Sequence, residues 1–214
     1  VFFIVFAYLI GSISSAVIVC RLFDLPDPRL EGSKNPGATN VLRVAGKRFA
    51  IYVLIADIFK GFLPVLLAKV FHLNPTIVAF TGLAAVMGHM YPIFLKFQGG
   101  KGVATAIGVL LAFQIYVGVL VIATWLLVVK LSRYSSLAGI AAIGFAPLYS
   151  MLIVHNIGTF LPLFFIAIMV LYKHGDNITR LMDGTEPKVR WKQNPIAEII
   201  PSTPPLTEKK YREP

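Results

Sequence analysis

Six long apolar runs dominate this chain: Val1–Leu22, Phe49–Phe71, Pro75–Leu95, Val103–Leu131, Leu137–Val154 and Gly158–Tyr172. A bilayer core about 30 Å thick needs roughly 20 apolar residues in a helix to cross it. The chain has 214 residues, 57% hydrophobic and only 14% charged, which is too much apolar surface for one water-soluble core. Lipid is therefore the solvent for most of it. Backbone groups in lipid must be paired within the segment, so the runs are predicted to be helices. The fold class expected is an all-α, polytopic transmembrane helix bundle.

Val103–Leu131 is too long for one straight span and too short for two full ones. Gln114 stands in its middle, so a short helix to about Phe113 and a second from Ile115 are predicted. The count becomes seven spans, with six as the alternative. Charge supports the split. With the N-terminus outside and a crossing at each run, the inner segments are 21–48, 96–102, 130–136 and 173–214. They hold 18 of the 20 Lys and Arg, leaving only Lys60 and Lys69 elsewhere. Without the split, Lys130 and Arg133 would land outside. The pattern follows the positive-inside rule and puts the C-terminus in the cytoplasm. Topology thus accounts for the net charge of +10, and nucleic acid is not an expected partner. No small-residue cleavage site follows the first run and Arg21 closes it, so it reads as a signal anchor. From Pro187 the composition turns polar, with six of the fourteen prolines. Residues 1–186 are read as the membrane domain, and 187–214 as a flexible, proline-rich cytoplasmic tail within reach of anionic lipid.

Three polar, glycine-bearing segments fall on the predicted inner side. The first is Gly32-Ser33-Lys34-Asn35-Pro36-Gly37-Ala38-Thr39-Asn40, with Arg43 following. The second is Gln98-Gly99-Gly100-Lys101-Gly102-Val103-Ala104-Thr105. The third runs from His174 through Asn177 and Arg180 to Gly184 and Glu186. Glycines let backbone N–H groups close around an anion, Lys adds a charge, and Ser or Thr adds a neutral donor. A helix predicted to begin right after the second segment would aim its N-terminus at the same anion. Together the loops predict phosphate binding at the cytoplasmic face. A Walker A loop is excluded, because Lys101 is followed by Gly102 and position 95 is Leu.

Metal is not expected. The lone Cys20 and the scattered His72, His89, His155 and His174 form no ligand pattern. His89 reads as a helix-packing residue, whereas His174 sits among donors at the inner end of the last span and reads as functional. Asp57 and Lys60, three apart in the second run, share a helix face and are expected to pair inside the bundle. A supporting electrostatic role for them at the site is the alternative.

These three segments, in order, resemble the motifs of the PlsY family, the bacterial membrane acyltransferases that use acyl-phosphate. Gly32–Arg43, Gly99–Thr105 and His174–Glu186 carry the likeness, which runs from about residue 8 to 186. Lys34-Asn35-Pro36 and Gly139 depart from the family pattern, Gly139 standing where a Ser is expected. The resemblance implies acyl transfer from acyl-phosphate to the 1-hydroxyl of glycerol 3-phosphate, giving lysophosphatidate and phosphate, with no cofactor. It nominates Ser33, Lys101, His174 and Asn177 as catalytic. Gly37, Ala38, Thr39, Asn40, Arg43, Gly99, Gly100 and Gly102 would bind substrate phosphate, with Glu186, Asp57 and Lys60 supporting. It also implies a bacterial inner-membrane location and an acyl-phosphate-producing enzyme as transient partner. Acyltransferases with His, four residues, then Asp are a different class, for none of the four His here has Asp at that spacing. A transporter for a phosphorylated small molecule is the rival reading, although its site would lie nearer the midplane.

Overall fold

The computed structural model describes residues 1–189, and every regular element in that range is helical. The first run breaks into α1 (Phe2–Gly11) and α2 (Ser15–Leu22), bent by 42°. Serines cause the break: Ser12 Oγ turns back to Tyr8 O (2.8 Å), and Ser14 Oγ caps α2 by accepting from Val17 N. A short α3 (Ala38–Val44) follows the first polar loop and leads into α4 (Lys47–Val70). Asn74 caps α5 (Pro75–Met90), with Pro75 at the first helical position. This helix stops before its apolar run does, because Pro92 biases Tyr91 away from helical geometry.

The expected break at Gln114 is present. α6 (Val103–Phe113) and α7 (Ile115–Ser132) meet at that residue, which is extended at φ −151°, ψ 112°. Lys69, outside the predicted inner segments, has a structural use here. Its Nζ donates to Ala112 O (2.9 Å) and Phe113 O (3.1 Å), carbonyls left open at the end of α6. The chain continues through α8 (Ser135–Gly144), α9 (Ala146–Val154) and α10 (Ile157–Lys173), and α10 bends 58° into α11 (Gly175–Met182).

Four helical segments are long and apolar enough to cross a membrane, or up to six if each bent pair is one span; α6 is a further short apolar helix. Small residues let the backbones close. A Cβ on Gly11 or Gly88 would strike the facing carbonyl of α5 or α1, and one on Gly61 or Gly108 that of α6 or α4. The central core includes Val65, Met90, Leu110, Ile143 and Leu163, while Phe2, Ile55, Leu127, Leu152 and Phe165 face outward, as lipid requires.

Candidate active site

The first polar loop is folded around Asn40. This side chain is buried, its Oδ1 accepts from Ser33 N (2.8 Å), and its Nδ2 donates to Pro28 O (2.8 Å) and Glu31 O (3.0 Å). Both amide hydrogens are spent on the loop, so Asn40 shapes it. Gly32, in the left-handed region at φ +60°, lies against that amide. Ser33 is exposed at the loop's surface. Gly37 caps α3 and Ala38 begins it. Thr39 Oγ1 reaches Ser135 Oγ of α8 at 3.1 Å. Arg43, half-buried, lines a cavity of about 650 Å³ with Thr39, Arg133, Tyr134, Glu186 and Lys188.

The glycine turn rests on the end of α5. Gly100 N donates to His89 O (3.1 Å), and a Cβ on Gly99 or Gly100 would collide with His89. Packing therefore demands glycine at both positions. Gly102 takes φ +81°, which only glycine adopts without strain, and α6 starts at the next residue. Between them Lys101 points its Nζ at Asn177 Oδ1 of α11.

Glu186 is the hub. Its Oε1 accepts from Asn177 Nδ2 and from Ser136 Oγ, both at 2.7 Å, and its Oε2 from Arg180 Nε at 2.8 Å. Asn177 and Arg180 lie three apart on one face of α11. The turn through Gly184 brings Glu186 back to them, with Thr185 N and Glu186 N bonded to Arg180 O. Burial would raise the Glu186 pKa, but the three donors and the Arg180 charge outweigh it and hold the carboxyl below its ordinary value. Burial pushes Lys101 down to about 8, against the upward pull of Glu186; Arg180 and Arg43 add to the lowering. Three cations, Lys101, Arg43 and Arg180, thus surround one carboxylate, an arrangement suited to an incoming anion.

His174 caps α10. A carbonyl only accepts, so its Nδ1 carries the proton given to Val170 O (2.7 Å), and Nε2 is left bare beside Gly139. Burial, with a contribution from Lys101, pushes the imidazole down to about 4, so the ring is neutral at physiological pH.

Lys101, His174, Asn177, Glu186, Arg43 and Thr39 therefore gather at one end of the bundle. Asp57 and Lys60 pair as expected, at 2.9 Å and buried, on the far side of the glycine turn. Sequence reasoning did not nominate Ser136 or Arg180, although both grip Glu186, nor Ser135. A pair of serines at a predicted helix start and an Arg three residues after Asn177 were the available signals. Among the described residues, no group of three His, Cys, Asp or Glu side chains is placed to hold a metal ion.

The family model described as glycerol-3-phosphate acyltransferase matches residues 1–184. The chain belongs to that family. It is 60% identical over 204 residues to the glycerol-3-phosphate acyltransferase of Legionella pneumophila (strain Corby), covering 95% of this chain and 74% of the relative. It is 49% identical over 187 residues to the enzyme of that name from Coxiella burnetii (strain Dugway 5J108-111), covering 87% and 96%. Crystal structures of PlsY (YgiH), an integral membrane glycerol 3-phosphate acyltransferase, superpose on the fold. Its glycerol 3-phosphate form does so with TM-score 0.84 at 40% identity, covering 88% of this chain and 94% of the other. Its lysophosphatidic acid form gives 0.81 at 39%, covering 89% and 95%. Like other members of the family, this multi-pass membrane protein is an acyltransferase.

Proposed function

We propose that this enzyme transfers an acyl group from acyl-phosphate to the 1-hydroxyl of glycerol 3-phosphate, releasing lysophosphatidate and phosphate, the first acylation of phospholipid synthesis. The observation that carries the reading is the convergence of Lys101, Arg43 and Arg180 on Glu186 beside a cavity of about 650 Å³. Both substrates are phosphates, and one brings an apolar chain that the lipid-facing bundle suits. The related PlsY is known in glycerol 3-phosphate and lysophosphatidic acid forms, an acceptor and a product of this reaction.

Acyl-phosphate is already activated, so a covalent acyl-enzyme is unnecessary. The acceptor oxygen attacks the acyl carbon, the bond from that carbon to the phosphate oxygen breaks, and the hydroxyl proton passes to phosphate. Substrate phosphate, with a second pKa of about 6, is a stronger base than His174 at about 4. His174 then serves to orient through Nε2. Lys101 and Arg43 stabilise the departing phosphate, with Ser33, Thr39 and the amides of Ala38, Gly99 and Gly102 as neutral donors, whereas the amides of Gly37 and Gly100 are already given to Asn35 O and His89 O and shape their loops instead. Asn177 and Glu186 aim Lys101, Asn40 holds the first loop, and Asp57 with Lys60 braces the turn.

The placement of Lys and Arg supports seven crossings with the N-terminus outside, α6 included, and the site on the cytoplasmic face of a bacterial inner membrane. An enzyme that makes acyl-phosphate is then a natural transient partner. Residues 1–186 would form the catalytic domain and 187–214 the tail, of which 190–214 lie outside the described residues. Pro187 and Lys188 line the cavity, and Val189 packs on Val129 and Ala138.

Purified protein in detergent, given acyl-phosphate and labelled glycerol 3-phosphate, is expected to form lysophosphatidate with no other protein present. Transport of glycerol 3-phosphate into vesicles without product formation would sink the reading.

A further inference from the structure

The seat of the glycine turn is a histidine with no part in the chemistry above. His89 lies in the last turn of α5, 7% exposed. Its carbonyl takes the Gly100 N–H, and its Nε2 occupies the space a Gly100 side chain would need. The other ring nitrogen, Nδ1, lies 3.6 Å from Asp57 Oδ1. That oxygen is 2.9 Å from Lys60 Nζ, which donates in turn to Ile13 O (2.9 Å) in the break between α1 and α2. Among the described residues, His89 Nδ1 has no hydrogen-bond partner, so the Asp57 carboxylate is the group placed to hold that edge of the ring. A charged pair within a bundle is costly and persists where it has a use. Here it ties α4 and the break between α1 and α2 to the α5 ring that carries the turn.

We propose that His89 is a positioning residue for the reaction. Clamped by Asp57, Lys60 and the Ile13 carbonyl, its ring seats Gly100 and so fixes the direction of Lys101 toward Asn177. It touches no substrate and acts through Lys101. The inference rests on the reading that Lys101 grips substrate phosphate. Its distinctive consequence is steric coupling. A methyl at position 100 displaces the turn only while the ring is present.

The test compares Gly100→Ala, His89→Ala and the double variant as purified, folded protein, with kcat and KM for acyl-phosphate and glycerol 3-phosphate. Loss of near-attack geometry predicts a fall of about 100-fold in kcat for Gly100→Ala and about tenfold for His89→Ala. The double variant should exceed Gly100→Ala by about tenfold, since neighbouring changes that share one space are not additive. A double variant no more active than Gly100→Ala would overturn the proposal. Asp57→Asn, close in shape, covers the case in which His89→Ala does not insert. It should lower kcat about fivefold with KM for glycerol 3-phosphate little changed, and an unaltered kcat would overturn the clamp. Lys101→Ala is assayed alongside. Full turnover in that variant would remove the phosphate grip itself, a failure distinct from absent rescue.

Discussion

The alkaline limb of the activity profile is expected to belong to Lys101. This ammonium is pushed down to about 8 by burial, with Glu186 pulling against that shift. If its charge grips phosphate, kcat/KM follows its protonated fraction in the free enzyme. That fraction is one half at pH 8, about one in eleven at pH 9 and about one in a hundred at pH 10. The loss should shrink at saturating substrate, because bound phosphate favours the charged amine. Stability moves the other way. The folded pKa lies below the ordinary 10.5, so burial penalises the charged form. The fold therefore gains stability as pH rises from about 8 toward the unfolded value. Lys101→Arg separates charge from fit. A guanidinium stays charged beyond pH 12, so the alkaline loss should vanish, while the wider group cuts turnover severely at neutral pH. His174, down at about 4, should give no break between about pH 5 and 9. The assay is initial-rate lysophosphatidate formation in a constant-ionic-strength buffer series. A parent profile flat to about pH 9.5, or an undiminished alkaline loss in Lys101→Arg, would refute the assignment.

Four further outcomes are expected. Ser33→Ala should fold normally yet lose most activity; unchanged turnover would remove Ser33 from the site. Glu186→Gln should cost about 1.5–3 kcal/mol through its charge-assisted bonds, read as a lower thermal midpoint. It should also move the Lys101 limb to lower pH, since the carboxylate is the main upward pull on that amine. Lys69→Met strands the Ala112 and Phe113 carbonyls and should destabilise by about 1–3 kcal/mol with KM unchanged. Truncation after residue 190 should leave activity within about threefold, because a proline-rich polar tail cannot bury a core; complete loss in inserted protein would contradict that.

The sequence by itself determined the solvent and the helices. Those follow from local quantities: run length against bilayer thickness, and the polar Gln114 inside an apolar stretch. The three glycine-bearing loops were legible for the same reason, since donors, glycine and charge stand adjacent in the chain. Tertiary structure decided how each residue is used. Asn40 reads like a phosphate donor until Pro28 O, Glu31 O and Ser33 N claim its amide. Gly99 and Gly100 read as an anion nest, yet it is His89, ten residues earlier on another element, that makes glycine necessary. Ser136 and Arg180 became site residues only when the turn at Gly184 brought Glu186 between them. A hydrogen bond needs two groups within about 3 Å, and no local pattern states which distant carboxylate will arrive. Packing decides that, and with it the difference between a topology lysine and one held at about 8 against Asn177.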